Sequence, residues 1–271
     1  MKYGFLFWFF GIAGCGTARE GDVEASGTRV LQHSSGDENS VVTGSTCSDV
    51  VTSAADDFAP AAEQPGSTAV SKDSPTIVGW ADAVVDIDIA GEVSEAYRHA
   101  ERALGPAEGT STDVVSLGEG GVITVRFASP FRDGPGNDLC IFENSFSDNF
   151  LEFAFVEVAS DAGTFVRFGA WSRVASAVDP YATIDPTLVL GLAGKYRQGF
   201  CTPFDLAELS DRPEVIAGQL DLSAVLYVRI RDIVGDGREL DCAGAPIFDP
   251  FPTTGGAGFD LDAIALLSNT Q

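Results

Sequence analysis

From Val114 to Phe168 the chain reads VVSLGEGGVITVRFASPFRDGPGNDLCIFENSFSDNFLEFAFVEVASDAGTFVRF, and the reading of this stretch decides the fold. Four short runs rich in Val, Ile and Phe are each closed by a cluster of Gly, Pro, Asn or Asp. That is how successive antiparallel strands are written, and it predicts a meander. Val122, Thr124 and Arg126 alternate with Ile123, Val125 and Phe127, so period 2 gives this strand a polar-leaning and an apolar face. Leu139 to Phe142 and Phe153 to Val158 are more continuously apolar, as expected of strands covered on both faces. SPFRDGPGND, between the first two, is too polar and too rich in Gly and Pro to be anything but a loop. Asp138, Glu143 and Asn144 bracket the second strand with oxygen-bearing side chains, which points to a hard cation or a polar ligand at a sheet edge.

Downstream, VLYVRIRDI (Val225 to Ile233) alternates plainly, with Val225, Tyr227, Arg229 and Arg231 on one side and Leu226, Val228, Ile230 and Asp232 on the other. A carboxylate at the end of the apolar-facing set needs a partner, because burying an unpaired charge is costly. The loop that follows carries Asp236, Asp241 and Asp249, and the final strand begins with Asp260 and Asp262. Those two point to the same side, since side chains repeat every second residue, and they repel unless a cation, an arginine or a proton stands between them. Calcium takes roughly six to eight oxygens of this kind. The spacing matches no EF-hand loop, and the alternative is that each Asp caps its own turn through backbone hydrogen bonds. The candidate calcium ligands are Asp138, Glu143, Asn144, Asp232, Asp260 and Asp262.

Upstream, Thr76 to Val85 predicts a strand and Ser94 to Leu104 a helix, its apolar residues falling at helical spacing and Gly105-Pro106 stopping it. His99 lies on this helix. With 2 His in the chain, a histidine metal site or a Ser-His-Asp triad lacks material; GxSxG, HExxH and P-loop motifs are absent from the sequence as well. The excursion from Gly169 to Leu222 includes a short helical turn after Pro203-Phe204-Asp205. Trp171, Tyr181, Tyr196 and Phe248 are loop aromatics that either stack on sugar rings or pack under long loops. Of the 5 Cys, Cys140 reads as a small buried hydrophobe, and the loop cysteines Cys201 and Cys242 are the natural disulfide pair in an exported protein.

Export is indicated by Lys2 and the apolar run Phe5 to Ala13, which has the length of a signal-peptide h-region and is too short to span a bilayer. The run ends in Ile12-Ala13-Gly14-Cys15, which resembles the bacterial lipobox and makes Cys15 the acylated residue. Gly16, rather than Asp, follows it, the sorting pattern of the outer membrane in a cell with two membranes. Residues 16–74 are Ser, Thr, Gly, Ala, Asp and Glu with few large apolar side chains, a disordered tether; residues 75–271 form the folded domain. The 40 acidic against 16 basic residues, a formal net charge of -24, repel phosphate backbones and exclude nucleic acid as a partner.

Taken together, VSLGEGGVITVRF, GPGNDLCIFENSF, AFVEVASDAGTFVRF, LAGKYRQGFCTPFDL, VRIRDIVGDG, PIFDPFPT and GFDLDAIALL are similar to a family of exported bacterial proteins described as cell surface proteins. The resemblance runs from about Ala81 to Ser268. It implies an all-β fold, an antiparallel jelly-roll-like β-sandwich with long loops and one or two short helices, akin to carbohydrate-binding and discoidin-like modules, whose last strand opens on a GFDxD-like segment close to a structural calcium. Cys201 and Cys242 stand where small residues are expected and Cys140 where a β-branched one is, pointing to an added disulfide. The expected function is a non-catalytic binding or adhesion lipoprotein, held at the membrane by its lipid anchor, braced by calcium and taking a surface glycan. The alternatives are a glycoside hydrolase using Glu143 and Glu157 as its carboxylate pair, and a structural part of an envelope assembly that docks on another surface protein.

Overall fold

A computed structural model describes residues 58–268. The acylation signal at Cys15, the apolar run before it and Cys47 lie outside the described residues. In chain order the strands are β1 (Val70–Ser71), β2 (Ile77–Trp80), β3 (Ala83–Asp88), β4 (Val115–Ser116), β5 (Val122–Phe131), β6 (Leu139–Glu143), β7 (Ala154–Ala159) and β8 (Val166–Arg167). They continue with β9 (Trp171–Ser172), β10 (Val189–Leu190), β11 (Phe200–Phe204), β12 (Val225–Asp232), β13 (Asp236–Leu240), β14 (Pro246–Phe248) and β15 (Asp260–Leu267). One sheet has the order β1-β11-β6-β15-β2, with β4 also on β15; the other has the order β3-β5-β12-β7-β8. Every pairing within them is antiparallel.

The core lies between these sheets. Ile123, Val125 and Phe127 of β5, Val156 and Val158 of β7 and Val228 and Ile230 of β12 pack with Leu139 and Ile141 of β6 and Leu261 and Ile264 of β15. The period-2 pattern of β5 therefore resolves as expected, and that of β12 does so from Tyr227 onward; a register shift between Val225 and Tyr227 turns Val225 into the core, not to the side of Tyr227, Arg229 and Arg231. The continuous apolar runs are buried along their whole length, β6 and β7 having no exposed residue. In β6, Cys140 and Phe142 face a second cluster with Ala263 and Ala265, on the side away from the core.

Val114 to Phe168 does not form a meander. β5 and β7 both flank β12, while β6 sits in the opposite sheet between β11 and β15, so the chain crosses the core twice. The connections over 132–138 and 144–153 explain this: they are longer than hairpin turns, and a strand apolar on both sides gains most at the centre of a covered sheet.

The helix expected over Ser94 to Leu104 is two 3₁₀ turns, Glu95–Tyr97 and Ala100–Ala103, with His99 in an extended conformation between them. So short a run, stopped by Gly105-Pro106, is marginal as an α-helix, and burying Ala103 fixes the tighter turn instead. Residues 58–74, read as the end of the tether, belong to the folded body: Phe58 and Ala62 are buried, and β1 adds to the edge of β11. The tether reading overlooked that a strand edge supplies backbone partners even to a polar segment. Cys201 pairs with Cys140, not Cys242, the Cα atoms standing 5.5 Å apart. Both lie on neighbouring strands, β11 and β6, and on one side of the sheet with Phe142; Pro203 disguised β11 as a loop.

Candidate functional site

At one rim of the sandwich the loops after β4, β6, β12 and β14 bring acidic side chains together. Asp232, the last residue of β12, is buried and accepts from the backbone N–H groups of Gly120 at 2.5 Å and Phe259 at 2.6 Å. Asp249 accepts from Phe153 N–H at 2.8 Å. Asp260 opens β15 and accepts from the Asn144 amide at 2.9 Å and from the Ser116 hydroxyl. Glu119 accepts from Thr253 N–H at 2.9 Å. Backbone closes tightly on two of these groups. Gly235 has φ +80 and a Cβ there would lie 1.8 Å from Asp249 Oδ1; Gly258 has φ +64 and a Cβ there would lie 2.7 Å from Asp232 Oδ1. Only glycine accepts both the left-handed backbone and the approach.

Glu143 and Glu152 complete the rim and differ from the rest. Glu143 Oε2 accepts from Ser145 N–H at 2.7 Å, but its Oε1 and the Oε1 of Glu152 are buried with no hydrogen-bond partner. None of the six carboxylates forms an ion pair with a lysine or arginine among the described residues. Burial pushes the Asp260 carboxyl up to about 6, against the pull of Ser116 and Asn144. Burial raises Glu143 well above the usual carboxylate range, and the charges of Glu152 and Asp260 add to it. Glu152 is raised well above that range by burial and then by Asp260 and Asp232. Asp232 and Asp249 are raised well above it for the same first reason, with Asp232 adding to Asp249. Glu119, half-buried, is raised by burial and coupled to Asp236. It also lines an open pocket of about 490 Å³ with Glu92 and Thr253, and Thr253 in turn hydrogen-bonds Glu152, so this pocket adjoins the rim.

Of the predicted ligands, then, Glu143, Asn144, Asp232 and Asp260 come together, whereas Asp138 and Asp262 do not join them. Asp138 sits at the far end of β6, where its carboxylate accepts from Gly134 and Leu206 N–H groups at 3.0 and 2.9 Å. There one oxygen each of Asp133, Asp138 and Asp205 lies within 4.8 Å of the others, with Asp205 capping its own turn through Ala207 N–H. No three of the rim carboxylates meet that separation, though oxygens on opposite sides of a calcium ion stand ~5 Å apart. Asp262 accepts from the N–H groups of Glu108 and Gly109 at 3.0 and 2.9 Å, and the expectation that it faces as Asp260 does is undone by a register shift between Leu261, which joins the core, and Ala263, which faces away from it. Glu119, Glu152 and Asp249 were not among the predicted ligands. Glu152 carried a usable signal, an acid at the mouth of an apolar run, just as Glu143 is at the end of one.

The loop aromatics also separate. Tyr196 is buried, its hydroxyl 2.8 Å from Thr68 Oγ1, and serves packing. Trp171 and Phe248 lie half-buried in β9 and β14. Tyr181 is 56% exposed, with φ +62, and its ring stacks on Phe150, which stacks on Phe146, itself 64% exposed. Phe146 and Phe150 lie on the loop that leaves Glu143 and Asn144, and Tyr181 is tied to Thr254 by a hydroxyl contact of 3.0 Å. Comparison of the chain with known protein families, curated proteins and solved structures finds no match.

Proposed function

We propose that this chain is a non-catalytic, lipid-anchored envelope protein whose sandwich is a calcium-braced binding module. The reading is carried by the orphaned buried oxygens of Glu143 and Glu152, set beside Asp260 in a rim whose carboxylates pair with no basic side chain among the described residues. An oxygen-only donor set suits a hard cation and offers nothing to metals that prefer nitrogen or sulfur. Glu143, Glu152 and Asp260 would hold the ion, with Asn144, Asp232 and Asp249 around them, and its charge would relieve their mutual repulsion. Acylation at Cys15 would place the module at a membrane.

The rim braces what binds. Ser145 to Phe150 and the loop containing Thr253 and Thr254 are rooted at the carboxylates, and between them they present the Phe146, Phe150 and Tyr181 stack, an exposed aromatic surface of the kind on which sugar rings settle. A glycan is thus the favoured ligand. The glycoside hydrolase alternative finds less support. Glu143 is sealed from solvent, while Glu157 faces outward from the opposite sheet and is engaged by Arg167.

Thermal melting of the chelator-stripped full chain, repeated with calcium or magnesium, is the test. Calcium near a hundred times its Kd is expected to raise the melting temperature by about 5 °C or more. An unchanged melting curve, with no heat on calorimetric titration, removes the ion from the account.

A further inference from the structure

The outward face of the β3-β5-β12-β7-β8 sheet gathers arginines around one acid, Glu157. Arg229 and Arg231 project from β12, Arg126 from β5 and Arg167 from β8, with Glu157 of β7 directly opposite both Arg229 and Arg167 in register. Arg167 holds Glu157 Oε1 through Nε at 3.0 Å and Nη2 at 2.8 Å, and its guanidinium lies 4.0 Å over the Phe155 ring. The Arg229 guanidinium lies 3.5 Å over Phe165 and donates to Thr124 at 3.1 Å. Arg229 and Arg231 reach Glu157 only at 3.7 and 3.9 Å, so most of their N–H donors are left for another acceptor. Arg126 is exposed and has no side-chain partner among the described residues. Other acids near this face are Asp82, whose backbone N–H donates to the Arg126 carbonyl, Asp86 and Asp88 on the edge strand β3 with β5 between them and β12, and Glu239 near Arg167. In a chain of net charge -24, three guanidinium groups sharing one carboxylate is a local excess of positive charge.

We propose that this face binds an acidic polysaccharide, the sugar carboxylates pairing with Arg126, Arg229 and Arg231 while the rings lie along β12. Guanidinium forks match carboxylates two hydrogen bonds at a time. Arg229 and Arg231, on alternate residues, repeat every ~6.7 Å, a step of the same order as one sugar ring. The stacked guanidinium–phenyl pairs make the face flat, which suits an extended polymer rather than a compact ligand. The chain's overall charge counts against a partner that is densely anionic throughout, and so favours a glycan bearing one carboxylate per ring over an acidic protein.

This surface lies on the sheet that does not carry Glu143 and Asp260, and it stands independently of the calcium reading. The test is calorimetric titration of the full chain with polygalacturonate, with its methyl-esterified form and with polyglutamate, each in calcium and in chelator below the melting temperature. Expected are binding to polygalacturonate in both conditions and a loss of about tenfold or more on esterification. An equal loss is expected in an Arg126→Gln, Arg231→Gln double variant whose melting curve is unchanged. Equal affinity for the esterified polymer, tighter binding of polyglutamate, indifference to the double substitution, or no binding at all would each overturn the proposal.

Discussion

Glu143 and Glu157 are both buried carboxylates on central strands, and the chain treats them in opposite ways. Glu157 is met by Arg167 at 2.8 Å with Arg229 and Arg231 behind it. Glu143 is met by Glu152 and Asp260, each of which makes its ionisation harder. The sequence has only 16 basic residues; among the described residues three of them are at the first site and none pairs with a carboxylate of the second. A chain able to neutralise a carboxylate with its own arginines, and withholding them where the carboxylates are most crowded, leaves compensation to something from outside: a proton or a cation.

The largest expected effect separates those two. Asp260 titrates at about 6 in the folded chain against a usual 3.8, so the folded state holds the proton more tightly than the unfolded one. That contribution to stability is fully present below about pH 4 and is lost as pH rises through about 6. It is worth about 3 kcal/mol, and the upward shifts of Glu143, Glu152, Asp232 and Asp249 extend the loss further. Without divalent ions, the melting temperature should therefore fall between about pH 4.5 and 7.5. With calcium competing for the same oxygens the fall should flatten or reverse above pH 6. Parallel profiles with and without calcium would mean the rim is kept neutral by protons alone.

Much of this architecture was legible in the residues. The alternation in Val122 to Phe127 and in Tyr227 to Asp232 gave both faces of two strands, while Val225, beyond a register shift, turns into the core against it; Asp232 was out of place in its apolar set because it is the end of the strand that enters the rim. What sequence could not show was the pairing. Strands written consecutively were assigned to one sheet, but the lengths of the loops between them allow either sheet, and only the demand of β6 for cover on both sides decides. The grouping of Asp138 with Glu143 failed, although Asp138 does sit in an acidic cluster of its own with Asp133 and Asp205. Bracketing a five-step strand puts its two ends ~17 Å apart, so Asp138 and Glu143 could never share an ion. Glu152 and Asp249 were hidden differently: their loops meet only after the sandwich has closed.

Next in size is the contrast between substitutions. Glu157→Gln removes the acceptor that three guanidinium groups share and should destabilise the chain by about 2 kcal/mol, with or without calcium, the partial exposure of the arginines holding the cost below that of a fully buried pair. Glu143→Gln should do the reverse in chelator, raising the melting temperature by a few degrees because it removes a repelled carboxylate while keeping the acceptor for Ser145. In calcium it should abolish most of the ion-dependent gain. The two variants measured together in denaturant melts break the comparison if they move stability in the same direction under chelator.

A third buried charge provides the smallest and cleanest check. Lys195 is 3% exposed, donates to the Val189 carbonyl at 2.7 Å, and is lowered by burial to about 8, with Asp185 pulling the other way. Its folded pKa lies below its ordinary 10.5, so the folded state resists the proton, and stability is lost as pH falls from about 10.5 to 8 and stays low beneath. Lys195→Met removes that term and leaves the Val189 carbonyl without its donor, so the net gain at neutral pH should be about 1 kcal/mol. The gain should shrink toward pH 10 as the wild-type lysine loses its proton in both states. Calcium should not alter it, because Lys195 has no part in the rim. A Lys195→Met effect that did depend on calcium would show that the chain compensates the rim carboxylates from within after all, and the contrast between Glu143 and Glu157 would no longer call for an ion.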